Sequence, residues 1–188
     1  MSELVYHTLE QRPDLKQAVS EMANHWETFM RNDDVSDQYF GKLYDWFPEF
    51  QLAICDAEDR VVAKAHSMPI KWDGDPNTLP EEGWNWALMN GVETREKGES
   101  HTAVSAIEIN ILPEMRGTGL SSRVLGMMKA NVAARGFDKL VAPVRPNLKS
   151  RYPLTPMERY ITWTRDDSGA PFDPWLRVHW RLGAPIVK

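Results

Sequence analysis

Apolar positions along this chain change period several times, and each change marks an element. Residues 4–9 read as a short strand closed by Arg12 and Pro13. Leu15, Val19, Met22, Trp26 and Met30 then recur at helical spacing and predict an amphipathic helix over residues 14–31. A second helix is expected over 36–46, with Tyr39, Phe40, Leu43 and Phe47 on one side. Residues 50–55 and 61–68 are expected strands, joined by the polar turn Asp56, Ala57, Glu58, Asp59, Arg60. From 71 to 100 the pattern weakens among prolines and glycines, with residues 83–89 the one helix-like run. Ile107, Ile109 and Ile111 alternate with Glu108, Asn110 and Leu112, which is the period of a strand. Pro113 ends it, and Leu120, Val124, Met127, Met128 and Val132 form the face of a helix that Gly136 caps. Another strand is expected over 139–144, then within 149–173 an extended arm entering a short helix that starts at Thr155 or Pro156 and a turn over 166–171, a helix over 174–182 and the start of a strand over 184–187.

Between the strand at 107–112 and the helix at 120 lies Met115, Arg116, Gly117, Thr118, Gly119, Leu120, Ser121. A strand that turns through glycines into a helix leaves backbone N–H groups unpaired at the positive end of the helix dipole, which suits phosphate. Arg116, Ser121, Ser122 and Arg123 can add charge and hydroxyl contacts. No Gly-Lys-Ser/Thr follows the glycines, which excludes a Walker loop. Ser122 stands where a dinucleotide fingerprint needs its third glycine, and Asp138 precedes the next strand rather than following it.

The run from Pro113 through Arg116, Gly117 and Gly119 to Ser121 resembles the Arg/Gln-x-x-Gly-x-Gly/Ala pyrophosphate loop of the GNAT acyltransferases, with Ser121 in place of the last small residue. The resemblance covers about residues 50–70 and 103–187. It implies an α/β, mixed α+β fold: a central mixed twisted sheet of about six strands flanked by about four or more helices. It also implies one domain over 1–188, with inserts at about 71–100 and 149–173. The co-substrate it implies is acetyl-CoA or another acyl-CoA, held by Ile109, Ile111, Leu112, Arg116, Gly117, Thr118, Gly119, Leu120 and Ser121. Backbone N–H groups near Ile111 and Leu112, left unpaired where the strand splays from its neighbour, would polarise the thioester carbonyl. Asn147, past the following strand, takes the place of the family's pantetheine-binding asparagine, about one residue out of register. A GNAT domain normally ends on one more strand, so the last strand is expected to be absent, shortened or supplied by a partner in a homodimer.

Composition narrows the partners. A net charge of -5 gives no basic footprint for nucleic acid, and 42% hydrophobic residues is ordinary for a globular domain. The single cysteine, Cys55, cannot form an internal disulfide and reads as an inert, half-buried thiol. No signal-like or membrane-spanning run is present in the sequence, so a cytoplasmic protein is expected, and no metal is. Of eight tryptophans, Trp72, Trp84, Trp86, Trp163, Trp175 and Trp180 lie outside the stretches a core pattern explains.

Direct transfer of an acyl group to an amine needs a neutral amine, a polarised carbonyl and a proton for the departing thiolate. Glu108 is the only acid in the central strand and the first candidate base, with His66, His101 or water as alternatives. The family's closing helix ends Tyr-x-x-Leu-Gly-Phe, its tyrosine protonating the thiolate. Here the matching run is His179, Trp180, Arg181, Leu182, Gly183, Ala184, which makes His179 the candidate acid or else a residue that packs beside Trp175. Three functions stay open at this level: acyl transfer to a small-molecule amine, a catalytically silent CoA- or metabolite-binding module, and acylation of a protein amine.

Overall fold

The structure, a computed structural model, describes residues 4–23, 26 and 28–188. Met1–Pro143 form one compact unit and Val144–Lys188 a second. The first is built on a five-stranded sheet in the order β1 (Val5–Thr8), β2 (Gln51–Cys55), β3 (Val61–Ile70), β4 (Ala103–Ile111), β5 (Leu140–Val141). The pairings are antiparallel up to β4, and β5 joins β4 in parallel. Five strands therefore stand among the described residues where about six were expected, and β5 is only two residues long.

β2 and most of β3 are buried on both faces, and their cores are Leu52, Ile54, Val62, Met68 and Ile70. Cys55 ends β2, buried, with its thiol pushed up by that burial and therefore unreactive. In the β2–β3 turn, Asp56 accepts the N–H groups of Glu58 and Arg60, while Asp59 takes the left-handed conformation at φ 60°.

The predicted helix over 14–31 is broken. A 3-10 turn at Pro13–Leu15 runs into α1 (Lys16–Glu21), Met22 leaves helical geometry at ψ 116°, and helix resumes at α2 (Thr28–Arg31). Residues 24, 25 and 27 of the expected helix lie outside the described residues. The break has a tertiary cause. Lys64 of β3 donates to the carbonyls of Val19 and Met22, each at 3.2 Å, and the Asn110 amide of β4 donates to that of Ala23 at 2.9 Å. Such bonds compete with helix continuation for the same acceptors. The second expected helix is likewise two, α3 (Asp34–Tyr39) and α4 (Lys42–Trp46), separated at Phe40 and Gly41.

The weakly patterned stretch holds a full helix, α5 (Trp84–Glu96), which buries Ala87, Leu88, Gly91 and Val92. Gly91 is there for contact: a Cβ on it would lie 2.6 Å from the Pro69 carbonyl and 2.4 Å from Met68 Cγ. We expect Gly91→Ala to destabilise the fold by about 2 kcal/mol, because backbone cannot give way as a side chain can. A thermal melt unchanged from the parent would contradict this.

α6 (Leu120–Ala134) packs Leu120, Val124, Leu125, Met128 and Val132 against the sheet. Gly136, at φ 83°, closes it with the paired bonds Gly136 N–H to Ala133 O and Phe137 N–H to Val132 O.

The second unit is organised on Asp173. Its carboxylate caps α8 (Pro174–Arg181) by accepting the N–H groups of Trp175 and Leu176, and also takes the Leu148 N–H and the Tyr160 hydroxyl. Tyr152, Tyr160, Trp163 and Phe172 pack edge-on and tilted around it, and α7 (Met157–Tyr160) carries one of these rings. The strand expected at 184–187 does not form. Gly183, at φ 81°, turns the chain so that Ala184 N–H reaches back to His179 O, and Ile186 and Val187 are about half exposed. Among the described residues no helix is long and apolar enough to cross a membrane.

Candidate functional site

β4 enters the glycine turn through a 3-10 turn at Pro113–Met115, after which Arg116 is extended. Gly117 lies at φ 76° and Gly119 at φ 80°, in the left-handed region, and a Cβ on either would meet nothing within 4 Å. Here glycine serves conformation, and the space beside the backbone is open. Thr118 turns its hydroxyl inward onto Met115 O at 2.7 Å. Gly119 caps α6 without a side-chain bond, so the first N–H groups of a fifteen-residue helix face that space. Arg116 and Arg123 are exposed around it, Ser121 and Ser122 half-buried, and Leu120 faces the core.

One strand back, the register decides which backbone groups are free. Leu112 N–H is bonded to Val62 O at 3.0 Å, which corrects the expectation that it is unpaired. In an antiparallel ladder the direction alternates, so Ile109 and Ile111 present their N–H groups to the opposite edge. That is the side of β5, whose pairing with β4 stops at Ser105 and Val141. The parting of β4 from β5 thus opens on the two residues next to the glycine turn. A bulge accompanies it: the register shifts between His66 and Ser67, and the freed Ile107 carbonyl accepts the Trp84 indole N–H at 3.0 Å.

On the face turned to α1 and α4 the sheet carries polar groups. Glu108 is 7% exposed at its side chain, and its Oε1 accepts the Trp26 indole N–H at 2.9 Å. Its Oε2 is buried with no hydrogen-bond partner and lies 3.8 Å from His66 Nε2. Burial raises the proton affinity of Glu108, against the opposing pull of the Lys64 ammonium and the bonds from Trp26 and Asn110. His66 is fully buried and, with Lys64 nearby, pushed down to about 3, so its imidazole is neutral. Phe40 packs against Trp26, Trp84, Tyr44 and His66 at 4.9, 6.2, 6.1 and 5.7 Å. On its outer side Trp26 lines a cleft of about 480 Å³ with Glu21, Met30, Ser36 and Asp37. His101 Nε2 donates to Gly91 O at 2.9 Å and the ring packs on Phe47, a structural placement.

In the second unit Asn147 is exposed, just before Leu148 binds Asp173. His179 stands edge-on to Trp175 at 4.8 Å, its Nε2 buried without a partner and its proton affinity lowered by burial. The structure therefore brings Glu108, His66, Ile109 and Ile111 together with the glycine turn in one unit, and holds Asn147 and His179 in the other. Gln51, Tyr44, Lys64, Trp26 and Trp84 belong to the site and were missed. The signal for one of them was present: Lys64 stands two positions before His66 in an otherwise apolar strand, which puts both polar side chains on one face.

No family model matches the chain. It is 31% identical over 195 residues to the arginine N-acetyltransferase avaD of Aspergillus versicolor, a match covering 94% of this chain and 67% of that protein. Among solved structures it superposes on the loading GNATL domain of CurA from Lyngbya majuscula with a TM-score of 0.70 at 25% identity, over 99% of this chain and 85% of that one. The GphF GNAT-like decarboxylase in complex with isobutyryl-CoA shares the fold, with a TM-score of 0.65 at 17% identity over 96% of this chain and 84% of that one. The chain belongs to the GNAT superfamily, and it is an acyltransferase of the N-acetyltransferase type.

Proposed function

We propose that this chain transfers the acyl group of an acyl-CoA, acetyl-CoA first among them, to the primary amine of a small molecule by direct attack on the thioester. The observation that carries the reading is Glu108 Oε2: a buried carboxylate oxygen without a donor, on the strand that runs into the glycine turn. An ionised oxygen so placed takes a proton readily, which is what a base facing an ammonium requires. The Gly117–Gly119 turn and the α6 N-terminus would take the diphosphate, and Ile109 and Ile111 the acyl-pantetheine backbone. The cleft beside Trp26 carries two acids, Glu21 and Asp37, against one cation, Arg31, which leans toward a cationic acceptor, and the name of the Aspergillus relative makes arginine the first to try. The test is release of free thiol from acetyl- and longer acyl-CoAs across a panel of amines and amino acids. Thiol release with none of them would overturn the reading.

His179 is assigned the proton for the thiolate. Its unpartnered Nε2 supports this over simple packing on Trp175. We expect His179→Ala to lower turnover by about 10²-fold while acyl-CoA affinity stays near the parent's. His179→Tyr should recover part of the rate and move the alkaline limb of the pH profile upward, since a phenol holds its proton longer. An alanine variant as active as the parent, with the same profile, would leave thiolate protonation to solvent.

A further inference from the structure

Three polar side chains stand in one row across the middle of the sheet. Gln51 of β2 is the register partner of His66 of β3, which is in turn the partner of Glu108 of β4. Gln51 and His66 are completely buried. Polar groups so placed must be satisfied, and the bonds they make restrict their states.

The chain of constraint starts at Gln51. Both hydrogens of its amide nitrogen are committed, one to Phe47 O at 2.8 Å and one to Ser67 O at 3.0 Å. That fixes which end of the amide faces the imidazole: its oxygen lies 3.0 Å from His66 Nδ1. An acceptor there requires that Nδ1 carry the proton. With the ring neutral, Nε2 is then a bare lone pair, and the Tyr44 hydroxyl at 3.2 Å donates into it. The next polar atom in front of Nε2 is Glu108 Oε2, at 3.8 Å. Acceptor faces acceptor.

The other groups around Glu108 do not relieve that oxygen. From β3, Lys64 directs its ammonium to Val19 O and Met22 O. From α4, Tyr44 is bound to His66, and the Trp26 indole is bound to Oε1. On β4 itself Asn110 donates to Ala23 O and also bonds the Glu108 side chain, yet Oε2 remains without a partner. The other imidazole tautomer would direct Nε2–H toward Oε2, but it would set a bare Nδ1 against Gln51 Oε1, so Gln51 holds the ring in the form that offers Oε2 no hydrogen.

We infer that Gln51 and His66 act as a tautomer lock: they deny Glu108 Oε2 a hydrogen-bond donor and so keep it basic enough to take a proton from the acceptor's ammonium. The inference rests on the acyl-transfer reading above, in which Glu108 is the base. In the step, one N–H bond of the ammonium breaks and an O–H bond forms at Oε2. The freed amine attacks the thioester carbonyl, the C–S bond breaks, and the second proton lost by nitrogen ends on the CoA sulfur. Glu108 returns its proton to solvent. His66 and Gln51 touch no reacting atom and are positioning residues.

The experiment has two arms on the full chain. The first measures kcat/KM for the acceptor against pH at saturating acyl-CoA, in the parent, Glu108→Gln and His66→Gln. A glutamine at 66 offers an amide donor to Oε2, so the acid limb should fall by about one pH unit, with KM for acyl-CoA unchanged. A limb that stays in place while Glu108→Gln is inactive overturns the lock but leaves Glu108 as base. A Glu108→Gln variant as active as the parent overturns both. The second arm needs no activity: 15N shifts of the imidazole of His66 in the parent, assigned among the five histidines by single substitution of the other four. A protonated Nδ1 with a bare Nε2 at neutral pH is expected, and an Nε2–H tautomer or an imidazolium overturns the proposal.

Discussion

Replacing Gly119 by glutamate is expected to abolish acyl-CoA binding in a chain that still folds. Gly119 sits at φ 80° as the N-terminal cap of α6, and the direction its Cβ would take is empty for 4 Å. The added side chain therefore meets no protein and projects where a diphosphate would lie. Its charge takes the place that the helix dipole and the exposed N–H groups keep for an anion. Left-handed geometry costs a non-glycine residue about 1–2 kcal/mol, so a small loss of melting temperature accompanies the loss of binding. Gly119→Asn separates the two effects, because asparagine tolerates this geometry and carries no charge. It should keep measurable affinity. Calorimetry showing full affinity in the glutamate variant would move the phosphate site away from this turn.

Replacing Glu108 by glutamine is expected to lower kcat/KM by about 10²–10⁴-fold and, at neutral pH, to stabilise the protein. The stability half follows from the direction of its shift. Burial raises the folded-state proton affinity of Glu108 above the ordinary value of 4.5. A group shifted that way contributes stability that is full below the unfolded value and is lost as pH rises through the folded one. The glutamine variant has nothing to lose there. Its melting temperature should match the parent's in acid and exceed it increasingly through the window where Glu108 ionises. Geometry adds to this: an amide nitrogen in place of Oε2 turns a hydrogen-bond donor toward the lone pair of His66 Nε2. Melting curves with a constant difference at every pH would remove Glu108 as the titrating group. Full activity in the same variant would remove it as the base.

The glycine turn was legible in the chain because its causes are local. Gly117 and Gly119 adopt positive φ, Pro113 ends the strand, and Leu120, Val124, Met128 and Val132 recur at the period of α6. Gly136 and Gly183 are legible as helix ends for the same reason, since left-handed closure concerns one residue and its immediate neighbours. β2 and β3 were readable from their apolar runs and the polar turn between them.

What failed to show in the chain was decided at long range. Residues 14–31 have an unbroken helical stripe, yet the helix ends at Met22 because Lys64 and Asn110, 42 and 87 residues from the carbonyls they capture, hold the chain to the sheet. α5 was obscured because Gly91, which reads as a breaker, is the residue that lets the helix approach Pro69. Residues 184–187 have strand composition and no strand, since β structure needs a neighbouring chain and the turn at Gly183 leads the backbone to none. Glu108 itself was visible as a lone acid in an apolar strand. Its proton affinity was not, because that depends on burial, on the Lys64 charge and on the bonds from Trp26 and Asn110, which only the pairing of β3 with β4 and the break after α1 bring together.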